Sequence, residues 1–170
     1  MSKQKDYREM ITTPFETKIR NFPSIAKYFL YYAPCIESAR SQGQLSEPEA
    51  NKLLNDMLAS THIDSKTKIL KQIQKASWRK LSLDGYYIDF ETPRILIERY
   101  NKETELQALL RHIRNSLAHG YLYVWKKKQE AYILFVDYSS KKDHKRETGK
   151  VLVTMRILEE WKAILENHIS

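Results

Sequence analysis

The 170-residue chain has one cysteine, four glycines and five prolines, and each scarcity closes off a class of protein. A lone Cys35 forms no intramolecular disulfide and belongs to no cysteine cluster that would hold zinc. It sits in Tyr31-Tyr32-Ala33-Pro34-Cys35-Ile36, among apolar neighbours, where a small core residue is expected rather than a nucleophile. No Gly-rich phosphate loop, GxSxG elbow or Cys/His pair occurs. No apolar run is long enough to span a bilayer. The opening Met1-Ser2-Lys3-Gln4-Lys5-Asp6 continues into polar sequence without the apolar stretch of a secretory signal. A cytoplasmic protein with no membrane partner is therefore expected. The five histidines (His62, His112, His119, His144, His168) form no HExxH pair and have no carboxylate at ligand spacing. His112 and His119 could share a helix face, but two ligands alone make a poor site, so neither metal nor cofactor is expected. Asp84, Asp89 and Glu91 fall near a turn and read as solvated carboxylates.

Acidic residues are also in short supply. Lys plus Arg number 29 against 21 Asp plus Glu, a formal net charge of +8. That excess favours a polyanionic partner, and nucleic acid over an anionic membrane. With 42% hydrophobic residues the chain is rich enough in apolar side chains to fold. Its length suits one domain, residues 1–170.

Helix signals dominate the first 120 residues. Thr13-Pro14-Phe15-Glu16 and Ser46-Glu47-Pro48-Glu49 each combine a capping residue, an early proline and a glutamate three residues on. Ile25, Phe29, Tyr32 and Ile36 mark an apolar stripe with a kink at Pro34, and Leu53, Leu54, Met57 and Leu58 mark another. A helix is expected from about Asp64 to Leu81, with Ile69, Leu70, Ile73 and Ala76 inward. Asp84-Gly85 turns the chain, and Thr92-Pro93 opens a helical stretch through Ile95, Leu96 and Ile97. The plainest helix starts near Glu103, where Leu106, Leu109, Leu110, Ile113 and Leu117 recur at steps of three and four, ending at a Gly120 cap. Beyond it, Tyr121 to Trp125, Ala131 to Tyr138 and Lys150 to Met155 are β-branched and aromatic. The expected fold is thus mainly α: a helical bundle over 1–120, a small antiparallel β-meander over 121–155, and a closing helix over 156–170.

The chemistry concentrates in Arg114-Asn115-Ser116-Leu117-Ala118-His119, at the end of that plainest helix. Arg-x4-His spacing alone is weak, since about 0.3 such pairs arise by chance in this composition; helix end, adjacent Asn115, small Ala118 and following Gly120-Tyr121 raise its weight. At 100° per residue Asn115 and His119 are neighbours one turn apart, whereas Arg114 lies about 140° round the helix from His119. One helix cannot easily aim both at one phosphate, but two copies about a twofold axis can, so a homodimer is expected. The ordinary alternative is a helix-end histidine favoured by the dipole, beside a surface arginine.

Arg114 to Tyr121 resembles the R-x4-H motif of the HEPN superfamily (higher eukaryotes and prokaryotes nucleotide-binding domain), in its RNase-toxin branch. The motif covers eight residues; the helical first part and strand-rich tail resemble plasmid- or phage-defence-associated members. The resemblance implies a metal-independent endoribonuclease, a toxin or phage-defence effector, with Arg114, His119 and Asn115 catalytic and RNA as substrate. His119-Gly120-Tyr121 is similar to the R-x4-H-x-Y form that accompanies a nucleotidyltransferase antitoxin, which implies Tyr121 as a modification site and such an antitoxin as partner. Tyr121 reads equally well as a residue that simply opens a strand. In the implied reaction a histidine moves the 2′-hydroxyl or leaving-group proton, and an arginine neutralises the phosphorane. RNA supplies its own nucleophile, so DNA should survive.

Two rival readings stand beside it. Tyr123, Trp125, Tyr132 and Tyr138 interleave with Lys126, Lys127 and Lys128, a combination suited to a non-catalytic RNA-binding or regulatory module, although alternating aromatics also suit strand positions that face a core. The other rival is an interaction subunit whose Arg114–His119 helix serves only to dimerise.

Overall fold

A computed structural model describes residues 4–10, 19–32, 45–139 and 145–169. Among these residues about 47% are helical and 26% lie in strands, which overturns the expectation of a mainly α bundle with a small β appendage. The centre is a five-stranded mixed sheet in the order β2-β4-β7-β6-β5. Its strands are β2 (Thr67–Leu70), β4 (Arg94–Glu98), β5 (Leu122–Lys127), β6 (Glu130–Tyr138) and β7 (Glu147–Thr154). β2 and β4 run parallel and every other pair is antiparallel. A separate two-stranded ribbon pairs β1 (Lys5–Asp6) with β3 (Tyr87–Ile88). The helices are α1 (Phe22–Lys27, running into a π-turn over Tyr28–Tyr32), α2 (Glu47–Ser60), α3 (Lys75–Lys80), α4 (Glu105–His119) and α5 (Met155–Ile169).

Two expected helices dissolve into other structure. The stretch 64–81 is a 3-10 turn, then β2, then the short α3. Residues 94–98 form β4, whose five residues are all buried. Ile95-Leu96-Ile97 is a short β-branched run with apolar partners on both faces, and periodicity alone cannot separate such a strand from a buried helix. The three strands after Gly120 do form as expected, but as part of a larger sheet. The expected helix start at residues 13–16, the Pro34 kink, Ile36 and the core assignment of Cys35 lie outside the described residues.

The sheet is covered on both faces. One carries Ile95, Ile97, Ile133, Phe135, Val151 and Val153 against the helices, in a core completed by Phe22, Leu54, Met57, Leu109, Ile113 and Trp161. Leu134, Val136, Leu152 and Tyr123 on the other lie beneath Tyr7, Ile88 and Phe90. Two buried cations pin the covering loops. Arg94 donates to the carbonyls of Leu81, Ser82, Asp89 and Thr92. Lys150, with no exposed surface, donates to the carbonyls of Leu83 and Gly85 and pairs with Glu147 at 2.9 Å.

Local signals place the helix that matters most. Thr104 and Gln107 close a capping box at the start of α4, satisfying two backbone N–H groups. The apolar stripe reveals this helix in the sequence without the box; the equivalent box at α2, Ser46 with Glu49, is plain from sequence and forms as expected. Gly120 ends α4 at φ 72°, a left-handed position that glycine occupies without strain. The chain then turns directly into β5, with Tyr121 N–H on the Ser116 carbonyl at 2.9 Å.

Candidate active site

Arg114, Asn115 and His119 all lie on the last turns of α4. His119 is exposed, while Arg114 and Asn115 are half-buried. Ser116, within the same segment, is fully buried, and its hydroxyl lies 2.8 Å from the carbonyls of both His112 and Val136. That serine fastens the helix to β6.

Strand β6 supplies the counterpart. Asp137 is only 4% exposed and sits where the β6–β7 register shifts. It faces Gly149, and Tyr138 faces Glu147, so β7 carries one extra residue, a bulge that bends the strand end. Side chains from two turns of α4 converge on Asp137 Oδ2: Asn115 Nδ2 donates to it at 3.3 Å, His112 Nδ1 lies at 2.8 Å, and Arg111 Nη1 lies at 3.8 Å. Oδ1 accepts from the Tyr138 N–H at 3.0 Å.

His112 is 1% exposed, with Nε2 2.7 Å from the Glu98 carbonyl, an acceptor that assigns a proton to that nitrogen. Its Nδ1 stands at ion-pair distance from Asp137 but out of line for a good hydrogen bond. Arg111 reaches further, donating to both Glu103 oxygens at 2.6 and 3.0 Å and to the Glu98 carbonyl at 3.1 Å. Tyr100 lies over its guanidinium at 4.1 Å. Arg146, from the β6–β7 connection, grips Glu98 with two bonds, at 2.6 and 3.0 Å. Burial pulls the Glu98 carboxyl upward, but Arg146, the Ile73 N–H and His112 outweigh it, and the net shift is below the ordinary carboxylate value.

The β6–β7 connection also reaches the far side of the motif. Lys145 Nζ donates to the Tyr121 hydroxyl at 2.8 Å. Tyr121 packs edge-on to Tyr138 at 4.8 Å, and its ring centre is 6.3 Å from that of His119. Tyr121 thus lies directly beside the motif.

The expected RNA-contacting lysines lie elsewhere. Lys126, Lys127 and Lys128 are exposed at the β5–β6 turn, at the end of β5 remote from Gly120, roughly 20 Å of strand away. Lys127 pairs with Glu91. Of the interleaved aromatics, Tyr123 is buried, and Trp125 packs on Tyr132 at 5.6 Å and on Phe90 at 6.1 Å, so this stripe covers the sheet. Asp137, His112, Arg111 and Lys145 do not stand out from the sequence as site residues. Asp137 had one available signal, an acidic residue inside the apolar run Ala131 to Tyr138. Among the described residues, no three His, Cys, Asp or Glu side chains gather as a metal site, and no helix is long and apolar enough to cross a membrane.

Residues 40–169 match the family model described as HEPN pEK499 p136. No curated protein and no solved structure matches the chain.

Proposed function

The chain belongs to the HEPN pEK499 p136 family, and from that premise we propose that it is a metal-independent endoribonuclease acting as a toxin or phage-defence effector. The observation that carries this reading is the exposed His119 at the C-terminal end of α4, on a segment bolted to the sheet through Ser116 and Asn115. A rigid helix end that presents an exposed imidazole suits proton transfer to and from RNA.

In the proposed reaction His119 accepts the proton of a ribose 2′-hydroxyl, whose oxygen attacks the adjacent phosphorus. The P–O5′ bond breaks, the leaving oxygen takes a proton from water, His119 returns its own proton to solvent, and the products are a 2′,3′-cyclic phosphate and a 5′-hydroxyl. Arg114 neutralises the charge that grows on the phosphorane oxygens. Because Arg114 and His119 are about 140° apart around the helix, two copies combine their residues in one cleft. Lys145, beside Tyr121, is better placed than Lys126–Lys128 to hold a phosphate near His119. Tyr121, partly exposed next to the site, is the position at which a nucleotidyltransferase antitoxin would modify the protein.

The direct test incubates purified protein with RNA and EDTA. Cleavage should persist under chelation and vanish in His119→Ala and in Arg114→Ala. An RNA substrate left intact by the wild type, or cleaved only with metal present, overturns the proposal. RNA binding that survives both substitutions without any cleavage instead favours a non-catalytic binding module, and a His119→Ala effect confined to oligomeric state favours a dimerisation subunit.

A further inference from the structure

Asn115 is an amide, and which of its two ends faces His119 determines what it can do there. Its neighbour across the α4–β6 contact settles the matter. An ionised carboxylate only accepts hydrogen bonds, so Asp137 takes the Asn115 NH2 group, 3.3 Å from Oδ2, and rejects the carbonyl end. The Asn115 oxygen is then left for the other side. His119 is one helical turn further on, on the same face.

The carboxylate is itself over-determined. Arg111 and His112 face Oδ2 from α4, and the Tyr138 N–H holds Oδ1. Beyond them Glu103 and Glu98 anchor Arg111 and His112, and Arg146 anchors Glu98. Gly149, opposite Asp137 on β7, leaves the room that His112 occupies. With the Arg111 guanidinium on one side, the His112 ring on a second and a backbone donor on a third, Asp137 has neither space nor electrostatic reason to turn away.

We propose that Asp137 is the positioning residue of this site, orienting Asn115 so that its carbonyl oxygen accepts from a ring N–H of His119 and leaves the other ring nitrogen for RNA. The assignment rests on the reading of Arg114–His119 as an RNA-cleaving segment. The chain Asp137–Asn115–His119 sets the histidine tautomer as a carboxylate does in other proton-transfer sites, with an amide inserted between. Asn115 then accepts a hydrogen bond from His119 and does not donate to the phosphate.

The test has an RNA-free arm and a kinetic arm. In the first, the imidazole nitrogens of His119 are followed by nitrogen-15 NMR at a pH where the ring is neutral. The wild type should hold His119 mostly as one tautomer, and Asn115→Ala and Asp137→Asn should both move it toward the mixture of a free imidazole. In the second, Asp137→Asn should lower kcat about tenfold with KM little changed. The exchange Asn115→Asp with Asp137→Asn keeps the contact and an oxygen facing His119. It should recover most of kcat while moving the break in the pH–rate profile upward, because a carboxylate now faces the imidazole.

An unchanged tautomer in both single variants overturns the proposal. So does an Asp137→Asn protein that melts lower yet keeps its tautomer and kcat, since that outcome makes Asp137 a structural residue only. Asn115 is half-buried, so Asn115→Ala keeps the RNA-free arm decisive even if Asp137→Asn fails to fold. If the wild type cleaves no RNA, the catalytic reading falls, and the tautomer measurement still decides the positioning claim.

Discussion

Gly149 shows how a single missing side chain shapes the site. A Cβ there would come within 2.7 Å of His112 Nδ1 and 2.9 Å of the Ile97 side chain. Both neighbours are buried and held, so neither can give way cheaply. Gly149→Ala should destabilise the protein by about 1–3 kcal/mol, the usual cost of overpacking, read as a lowered denaturation midpoint. It should also push His112 off Asp137. A midpoint equal to that of the wild type would show that the α4–sheet contact is looser than its distances imply. At the same scale, Asp137 differs from the solvated carboxylates of the surface only in what surrounds it, and its neighbours come from α4, β6 and β7. Nothing within the 131–138 run itself points to Arg111 and His112 as its partners.

Among the elements, the β6–β7 connection carries the clearest consequence. Through Arg146 it ties the end of β7 to Glu98 at the end of β4, and through Lys145 it reaches Tyr121 at the start of β5. Glu98 has a folded pKa below its ordinary value, so its contribution to stability is present above about pH 4.5 and fades as pH falls through the folded value. Arg146 is half exposed, which limits the pair to about 1 kcal/mol. Arg146→Met should therefore lower stability by about that amount at pH 7. The gap to the wild type should narrow on acidification below pH 4.5, as followed by denaturant melts at pH 7 and pH 4. A gap that stays constant with pH would mean Arg146 acts by packing and not by charge. α2 was legible because its capping box and apolar stripe agree locally, and α4 because its apolar stripe and terminal glycine do. β4 was not, because its run of Ile95, Leu96 and Ile97 has no alternation to reveal it.

The whole molecule raises the question of how one exposed histidine and one half-buried arginine on the same helix serve one phosphate. The proposed answer is a second copy, and mixing experiments decide it. Arg114→Ala and His119→Ala proteins, each inactive alone, should regain about a quarter of wild-type RNase activity when unfolded together and refolded. Half of the dimers would then be mixed, and each mixed dimer would keep one intact arginine–histidine pair. No recovery, with mixed dimers demonstrably formed, would place the whole reaction within one protomer. The net charge of +8 attracts polyanions at long range, so the proposed RNA cleavage should weaken at low substrate as salt is raised.

What the sequence determined by itself was local: the capped α2, the stripe and C-terminal glycine of α4, the strands after Gly120, and the Arg114–His119 segment with its neighbouring Tyr121. Each depends on residues within a turn or two of one another, where propensity, periodicity and capping act directly. Tertiary structure alone decided that β2 and β4 join those strands, parallel to each other. It also decided that Lys145 rather than Lys126–Lys128 lies beside the motif, and that Asp137 meets Asn115. Those are pairings between positions tens of residues apart, set by strand register and by which face each strand buries, and no local pattern encodes them.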